Sequence, residues 1–431
     1  MTDLIKIILP LLLSPLPCFA AENSLMSGFG DKDLNYYING ALANNHEYKK
    51  TESLIEAYRQ RALYARGDAL PAVSLAAQYI RGSLPETSPI QLKDNIFMLP
   101  LTVSWEPDIF GKNSRKTESA RKAYDIAAVK RTGAEILLVS EIAAAYIGIM
   151  EYDALIKNQE EIINLASDKL GRTRKMLASG ITDNKAVMNG EQALEKLSNE
   201  LKVMKLTRDA AINNFSVLTG TAAAEDMPRG DFSGFEYRGQ IRSGIKSDSV
   251  YGRPDIMEIE KRLEQLNVNT ETARKELLPV FSITGLISFN NAVSDEFFGW
   301  DNSVRGVMGQ LKQDLYAGGR KKANIRIKEA EYKAAFEDYR QTALEAFNEI
   351  NTAMIHIRYN TDIYEATKNL SDIEYKKRTD SEIKFSRGVI SYPEFLDAEI
   401  SYLLSAQEVI KRKAEKLIDY ITLYKATGGN L

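Results

Sequence analysis

The sequence predicts a mostly α-helical protein with a small β part, built from one supersecondary module used twice. Three observations predict it. A shift of 208 residues brings the two halves into line: Leu70-Pro71 falls on Leu278-Pro279, Ser74 on Ser282, Glu141 on Glu349, Gly180 on Gly388, Glu191 on Glu399, and Thr219-Gly220 on Thr427-Gly428. Each half opens with two runs of alternating apolar and polar residues, the period of a strand with two unlike faces. Each half then runs on without a proline, from Ser114 to Ala178 and from Arg320 to Ser386. A repeat of this length is a duplicated module, not a solenoid of short units.

The N-terminus reads as an export signal. Lys6 precedes the apolar run Ile7 to Leu13, and Pro15-Leu16-Pro17-Cys18-Phe19-Ala20-Ala21 follows. A positive start, an apolar stretch and small residues form a Sec-type signal peptide, so residues 1–20 are expected to be removed. The alternative is an apolar helix that stays, too short to span a bilayer. Cys18 is the sole cysteine, so the mature chain is expected to have no disulfide; lipidation of a mature Cys18 is the other reading. No later segment has eighteen consecutive apolar residues, so no transmembrane helix is expected.

Residues 21–69 are expected to hold N-terminal helices, with helical spacing over 33–66 and a stop near Gly67. The first repeat, 70–220, begins with a β-hairpin over 70–108. Val73, Leu75, Ala77 and Tyr79 share one face, and Phe97, Leu99, Leu101, Val103 and Trp105 share one face of the returning strand. Residues 82–95, with Gly82, Pro85 and Pro89, form the loop between them. A helical hairpin over 114–219 follows. Its first helix should extend about 97 Å at ~1.5 Å per residue, far beyond ordinary globular helices. Gly180 ends that helix, and Asp183 can cap the next.

Residues 221–277 form a glycine-containing polar connector and a helix opened by Arg253-Pro254-Asp255-Ile256; proline suits a first helical turn. The second repeat, 278–428, has its β-hairpin over 279–316 and its helical hairpin over 320–426. Phe297, Phe298 and Trp300 sit in the loop of this β-hairpin, and aromatic residues at strand ends suit a membrane interface. An amphipathic hairpin packed on a soluble core is the plainer alternative. Gly388 ends the long helix, and Ser391 can cap its return.

Composition excludes several classes. The net charge of -3 gives no basis for nucleic-acid binding. His46 and His356 are the only histidines and stand far apart, so no metal site of the His/Cys type is expected. No phosphate-binding or nucleophile motif occurs, so neither an enzyme nor a cofactor is expected. Four strands cannot close a membrane barrel by themselves, because an open edge leaves backbone groups unsatisfied in lipid and single-chain barrels start at about eight strands. Several chains should therefore share one barrel, with the helices wrapped into a second barrel beneath it.

The stretch Val103-Ser104-Trp105-Glu106-Pro107-Asp108-Ile109-Phe110-Gly111-Lys112 resembles the strand-to-helix junction of TolC-like outer-membrane channels. Arg253-Pro254-Asp255-Ile256, Leu277-Leu278-Pro279 and Tyr316-Ala317-Gly318-Gly319-Arg320 resemble that family's second-half markers. The resemblance implies a homotrimer in the bacterial outer membrane and its lipid, with a shared 12-stranded β-barrel and a periplasmic α-barrel. It implies an exit duct for an efflux pump or type I secretion system, docked to a periplasmic adaptor and an inner-membrane transporter.

Two sets of site residues follow. Glu394 and Asp397 lie three apart, on one helix face, and three copies would give two acidic rings that favour cations. The resemblance places such acids at a periplasmic aperture. In the first repeat the equivalent positions are Ala186 and Asn189, so the acid pair belongs to the second repeat only. A solvated helix face is the alternative. The tips Gly180-Ile181-Thr182 and Gly388-Val389-Ile390-Ser391 are the expected adaptor contacts, since apolar residues at a helix end otherwise lack a reason to be exposed. Phe385 and Ile390 stand where the family can carry a tyrosine and an arginine, leaving Lys185 and Arg387 as candidate substitutes in gate bonding. The competing architecture is a periplasmic coiled-coil adaptor or scaffold.

Overall fold

The computed structural model describes residues 24–82, 95–221, 227–239, 250–291 and 297–430. The expected signal peptide, most of the 82–95 loop and parts of the 221–250 and 290–302 segments lie outside the described residues. The elements are α1 (Ser24–Phe29), α2 (Lys32–Asn44), α3 (His46–Gly67), β1 (Ala72–Leu75), β2 (Gln78–Arg81), β3 (Asn95–Trp105), α4 (Lys112–Ala178), α5 (Asn184–Thr219), α6 (Pro254–Lys275), β4 (Val280–Asn290), β5 (Ser303–Lys312), α7 (Arg320–Ser386) and α8 (Tyr392–Ala426). The duplication survives as structure. Helices α4 and α7 are each 67 residues long, and α5 and α8 have 36 and 35.

The compact units are not the repeats. One unit comprises 1–45, 136–249 and 348–431; the other comprises 46–135 and 250–347. Each draws on both repeats, and the N-terminal block expected over 21–69 is divided between them. The helical spacing over 33–66 resolves into two helices, α2 and α3, parted at Asn45. Its side-chain amide donates to the Leu218 carbonyl at 2.8 Å, so a tertiary contact sets the break.

The unit made of 46–135 and 250–347 holds the sheet. All neighbours are antiparallel: β1 and β2 pair with β3, β3 with β4, and β4 with β5. β1 and β2 are one strand in register, interrupted opposite Pro100. Ala76 N–H donates to the Pro100 carbonyl at 3.0 Å, but proline has no N–H to return. Pairing puts Val73, Leu75 and Tyr79, the odd residues of β3 from Phe97 to Trp105, and Phe281, Ile283, Ile287, Phe289 and Leu311 on one face. Ser74, Gln78, Thr102, Ser104, Ser282, Thr284, Gln310 and Lys312 occupy the other.

The junction after β3 is built for a helix start. Gly111 takes φ +70°, a region open to glycine. The Asp108 carboxylate accepts from Ser114 N–H at 2.7 Å, Asn113 N–H at 2.9 Å and the Ser114 hydroxyl at 2.5 Å. Burial pushes the Asp108 pKa up, but those hydrogen bonds outweigh it and hold the group below its ordinary value.

The other unit is a helical bundle with its own core. Val139, Ile142, Tyr146, Ile147 and Ile149 of α4 are fully buried, as are Leu34 and Ile38 of α2. Contrary to the expectation of no transmembrane helix, the most apolar stretch of α4 is long and apolar enough to cross a membrane, but half of it is buried in the structure. Residues expected as plain connector belong here too. Phe235 stacks on Phe29 at 5.1 Å, Tyr237 on Tyr420 at 4.5 Å, and Lys413 Nζ donates to the carbonyls of Phe232 and Ser233.

Candidate functional site

The helix tips and the first turns after them form the candidate site, all within the helical bundle unit. Both tips close in the same way. At the first, Ile181 N–H donates to the Met176 carbonyl at 2.9 Å and Gly180 N–H to Leu177 at 3.0 Å. At the second, Val389 donates to Lys384 at 2.9 Å and Gly388 to Phe385 at 2.8 Å. These pairs are the Schellman pattern, which needs a left-handed residue; Gly180 and Gly388 have φ +71° and +70°. The turn throws apolar side chains outward: Ile181 is 69% exposed and Val389 67%. Ile390 and Thr182 are half-buried, and Ser391 is exposed.

The return helices start as their sequences predict. Asp183 accepts from Ala186 N–H at 2.9 Å. Ser391 and Glu394 form a reciprocal capping box: the Glu394 carboxylate accepts from Ser391 N–H at 2.6 Å, and the Ser391 hydroxyl accepts from Glu394 N–H at 3.4 Å. Each satisfies one orphan donor of the helix start. The hydrogen bond from the Ser391 backbone holds the Glu394 pKa below its ordinary value, so Glu394 is ionised at neutral pH.

Asp397, one turn further, forms an ion pair with Lys169 of α4. Around this pair α4 and α8 are tied twice more. Arg172 lies over the Tyr392 ring at 4.8 Å, and the Tyr392 hydroxyl donates to Asp168, a hydrogen bond that, ahead of burial and the Asp168 charge, raises the tyrosine pKa. Phe385 stacks on Phe395 at 5.6 Å and meets Tyr392 at 5.2 Å, closing the second tip with aromatic contact. Lys185 and Arg387 make no ion pair among the described residues; the cation that meets Asp397 is Lys169. Higher in the bundle, Gln407 donates to Gln159 at 2.8 Å, and Gln159, fully buried, donates to the Leu197 carbonyl at 3.0 Å. This amide pair joins α4, α5 and α8 in one register.

Sequence reasoning singled out the acids and glycines but did not name Asp168, Lys169, Arg172 and Tyr392, which the structure places around them. Their signal was weak: exposed charges on a long helix, paired across more than two hundred residues of chain.

The sheet is the second functional surface. Its apolar face is open: Val73 is 67%, Leu75 64%, Val307 81% and Leu311 67% exposed. At one end Phe289 meets Trp300 at 5.6 Å and Phe298 at 5.8 Å. An apolar face backed by one that carries Ser, Thr, Gln and Lys beside Met98, Leu286 and Met308 is compatible with the alternation of a membrane β-barrel wall.

Comparison with known proteins agrees with this geometry. The sequence profile of the outer membrane efflux protein family matches residues 37–221 and 247–429, which contain both repeats whole. The probable efflux pump outer membrane protein TtgC of Pseudomonas putida is 25% identical over 416 residues, covering 95% of this chain and 86% of its own length. The cation efflux system protein CusC of Escherichia coli is 23% identical over 420 residues, covering 95% of this chain and 90% of its own. The solved Campylobacter jejuni CmeC outer membrane channel superposes with a TM-score of 0.82 at 19% identity, over 97% of this chain and 94% of that one. These relatives are channels rather than enzymes, and they lend no support to the adaptor or scaffold alternative. With strands that suit the outer membrane and helices that suit the periplasm, the chain belongs to the outer membrane efflux protein family.

Proposed function

We propose that three copies of this chain close one 12-stranded barrel and form a passive exit duct, opened at its periplasmic end by an adaptor and an inner-membrane transporter. One observation carries this reading: a four-stranded wall with an apolar outer face and two bare edges, which cannot stand alone in lipid. The relatives do not point to one substrate: CusC is a cation efflux system protein, and TtgC of another Pseudomonas putida strain is a toluene efflux pump outer membrane protein.

The exposed tips, with Ile181 and Val389 outermost, are the surface offered to the adaptor. Glu394 and Asp397 form the aperture acids, repeated by three-fold symmetry. In this conformation Asp397 is tied to Lys169 and Tyr392 to Asp168, so separating the second hairpin from the first breaks these links. Docking at the tips supplies the work; no nucleotide or proton relay is needed in the duct itself.

The test is single-channel conductance in planar bilayers. The wild type should give a small cation-selective current that a polyvalent cation blocks. Replacing both Glu394 and Asp397 by their amides should raise the current and remove the block. Unchanged conductance and block would overturn the aperture assignment.

A further inference from the structure

We infer that the two bare sheet edges meet between copies of this chain in one defined register, with Gln310 of one copy opposite Gln78 of the next. This rests on the shared-barrel reading and goes beyond it, because copy number alone sets no register. β1 and β2 are exposed along their whole length, and β5 is exposed at every residue but its first. The inner strands β3 and β4 alternate or are half-buried. The edges therefore carry unused backbone groups and uncovered side chains.

The duplication supplies the register. In the first hairpin Ala72 faces Ser104, and in the second Val280 faces Lys312. Both members move by the same amount, since 280 − 72 and 312 − 104 are both 208. The β1–β2 strand is thus the counterpart of β4, and β3 the counterpart of β5. The junction between repeats, β3 against β4, sets Thr102 opposite Leu286 and Leu101 opposite Ile287. Closing a ring repeats this junction between copies, with β5 in the place of β3 and the next copy's β1–β2 in the place of β4. Carried over by 208, Thr102–Leu286 becomes Gln310–Gln78, and Leu101–Ile287 becomes Gly309–Tyr79.

Two features that did not enter this derivation agree with it. Backbone donors alternate sides along an antiparallel strand. Ala76 N–H turns toward β3, so odd residues of β1–β2 turn outward; Asn291 N–H reaches the Phe97 carbonyl, so even residues of β4 face β5, their even partners in β5 face back, and odd residues of β5 turn outward too. The inferred register pairs odd with odd. It also keeps Val73, Leu75, Tyr79, Val307 and Leu311 on one apolar face. A slip of one residue would break both matches. Tyr79 falls opposite Gly309, where an aromatic ring can cover the site left open by a glycine.

The serious rival is a slip of two. After the strands, Asp108–Gly111 matches Asp314–Ala317 at a shift of 206; carried back into β5, that shift would set Gln310 opposite Ala76. The two hairpin registers place the change after the strands instead.

Disulfide trapping separates the registers. Gln310 and Gln78 form a non-hydrogen-bonded pair, with Cα atoms ~4.5 Å apart, inside the disulfide range of ~4.4–6.8 Å. Positions two residues away lie ~7–8 Å off. Full-length chains carrying Gln310→Cys with Ala76→Cys, Gln78→Cys or Ile80→Cys are oxidised in isolated outer membranes and run on non-reducing gels. Gln310→Cys alone is the blank, and Thr102→Cys with Leu286→Cys, the in-chain equivalent, shows that the geometry permits the bond. The Gln310/Gln78 pair should give covalent dimers and trimers at least ~tenfold above the other two pairs, given that spacing. Stronger trapping at Ala76 or Ile80, or none from any pair in assembled trimers, overturns the register. Absence of any wild-type trimer overturns the shared-barrel reading instead.

Discussion

Asp397→Asn should bias the duct toward opening, by an amount the geometry bounds. The Lys169–Asp397 pair is partly exposed, at 35% and 56% of the side-chain surfaces. Pairs of that kind contribute about 0.2–1 kcal/mol each. Three equivalent pairs that break together would contribute about 0.6–3 kcal/mol, or about 3- to 150-fold in the open-to-closed ratio. Lys169→Gln should act alike, and the double variant should add little to either single change, because the same pair is lost. The assay is open probability in planar bilayers at low and high salt. High salt should mimic the substitution, since it screens exposed pairs. Effects that add across the double variant, or a wild type insensitive to salt, would refute the pairing as a closing contact.

Further outcomes follow from other parts of the molecule. Glu151 on α4 lies against Glu415 and Lys411, and burial, then the Glu415 charge, pushes its pKa up to about 7 from 4.5. The folded chain therefore holds this proton more tightly than the unfolded chain, and stability falls as pH rises between those values; Glu151→Gln should gain on the order of 1 kcal/mol at pH 8 and nothing near pH 4, read from thermal melting. Gly388→Ala forces a side chain into φ +70° and should cost about 1–2 kcal/mol, seen as faster proteolysis at the second tip. Val103→Arg on the apolar face should cost about 2–4 kcal/mol if it lies near the bilayer midplane and deplete outer-membrane trimer, whereas Thr102→Arg on the polar face should assemble; equal yields would contradict the assignment of faces.

Much of this architecture is legible because its signals are local. A glycine after a helix with a capping residue behind it fixes each tip within a few residues, and alternation fixes which side of a strand is apolar. The capping box Ser391-x-x-Glu394 was equally legible, and it gives Glu394 a second employment that the acid spacing alone did not suggest. What sequence hides is tertiary. Asn45 parts α2 from α3 through a carbonyl on α5. Pro100 splits the edge strand on the far side of its hairpin rather than its own strand. Lys169 meets Asp397 only after two hairpins fold together, and no periodicity in α4 marks that lysine out from its neighbours. The compact units escape a linear reading altogether, because each takes segments from both repeats.

The most direct test of a shared barrel is the mass of the detergent-solubilised particle from outer-membrane fractions, measured by light scattering. A shared barrel predicts a heat-resistant particle near three times the 48.3 kDa chain, less any removed signal peptide. A single-chain particle, or protein recovered only in the soluble fraction, would contradict it.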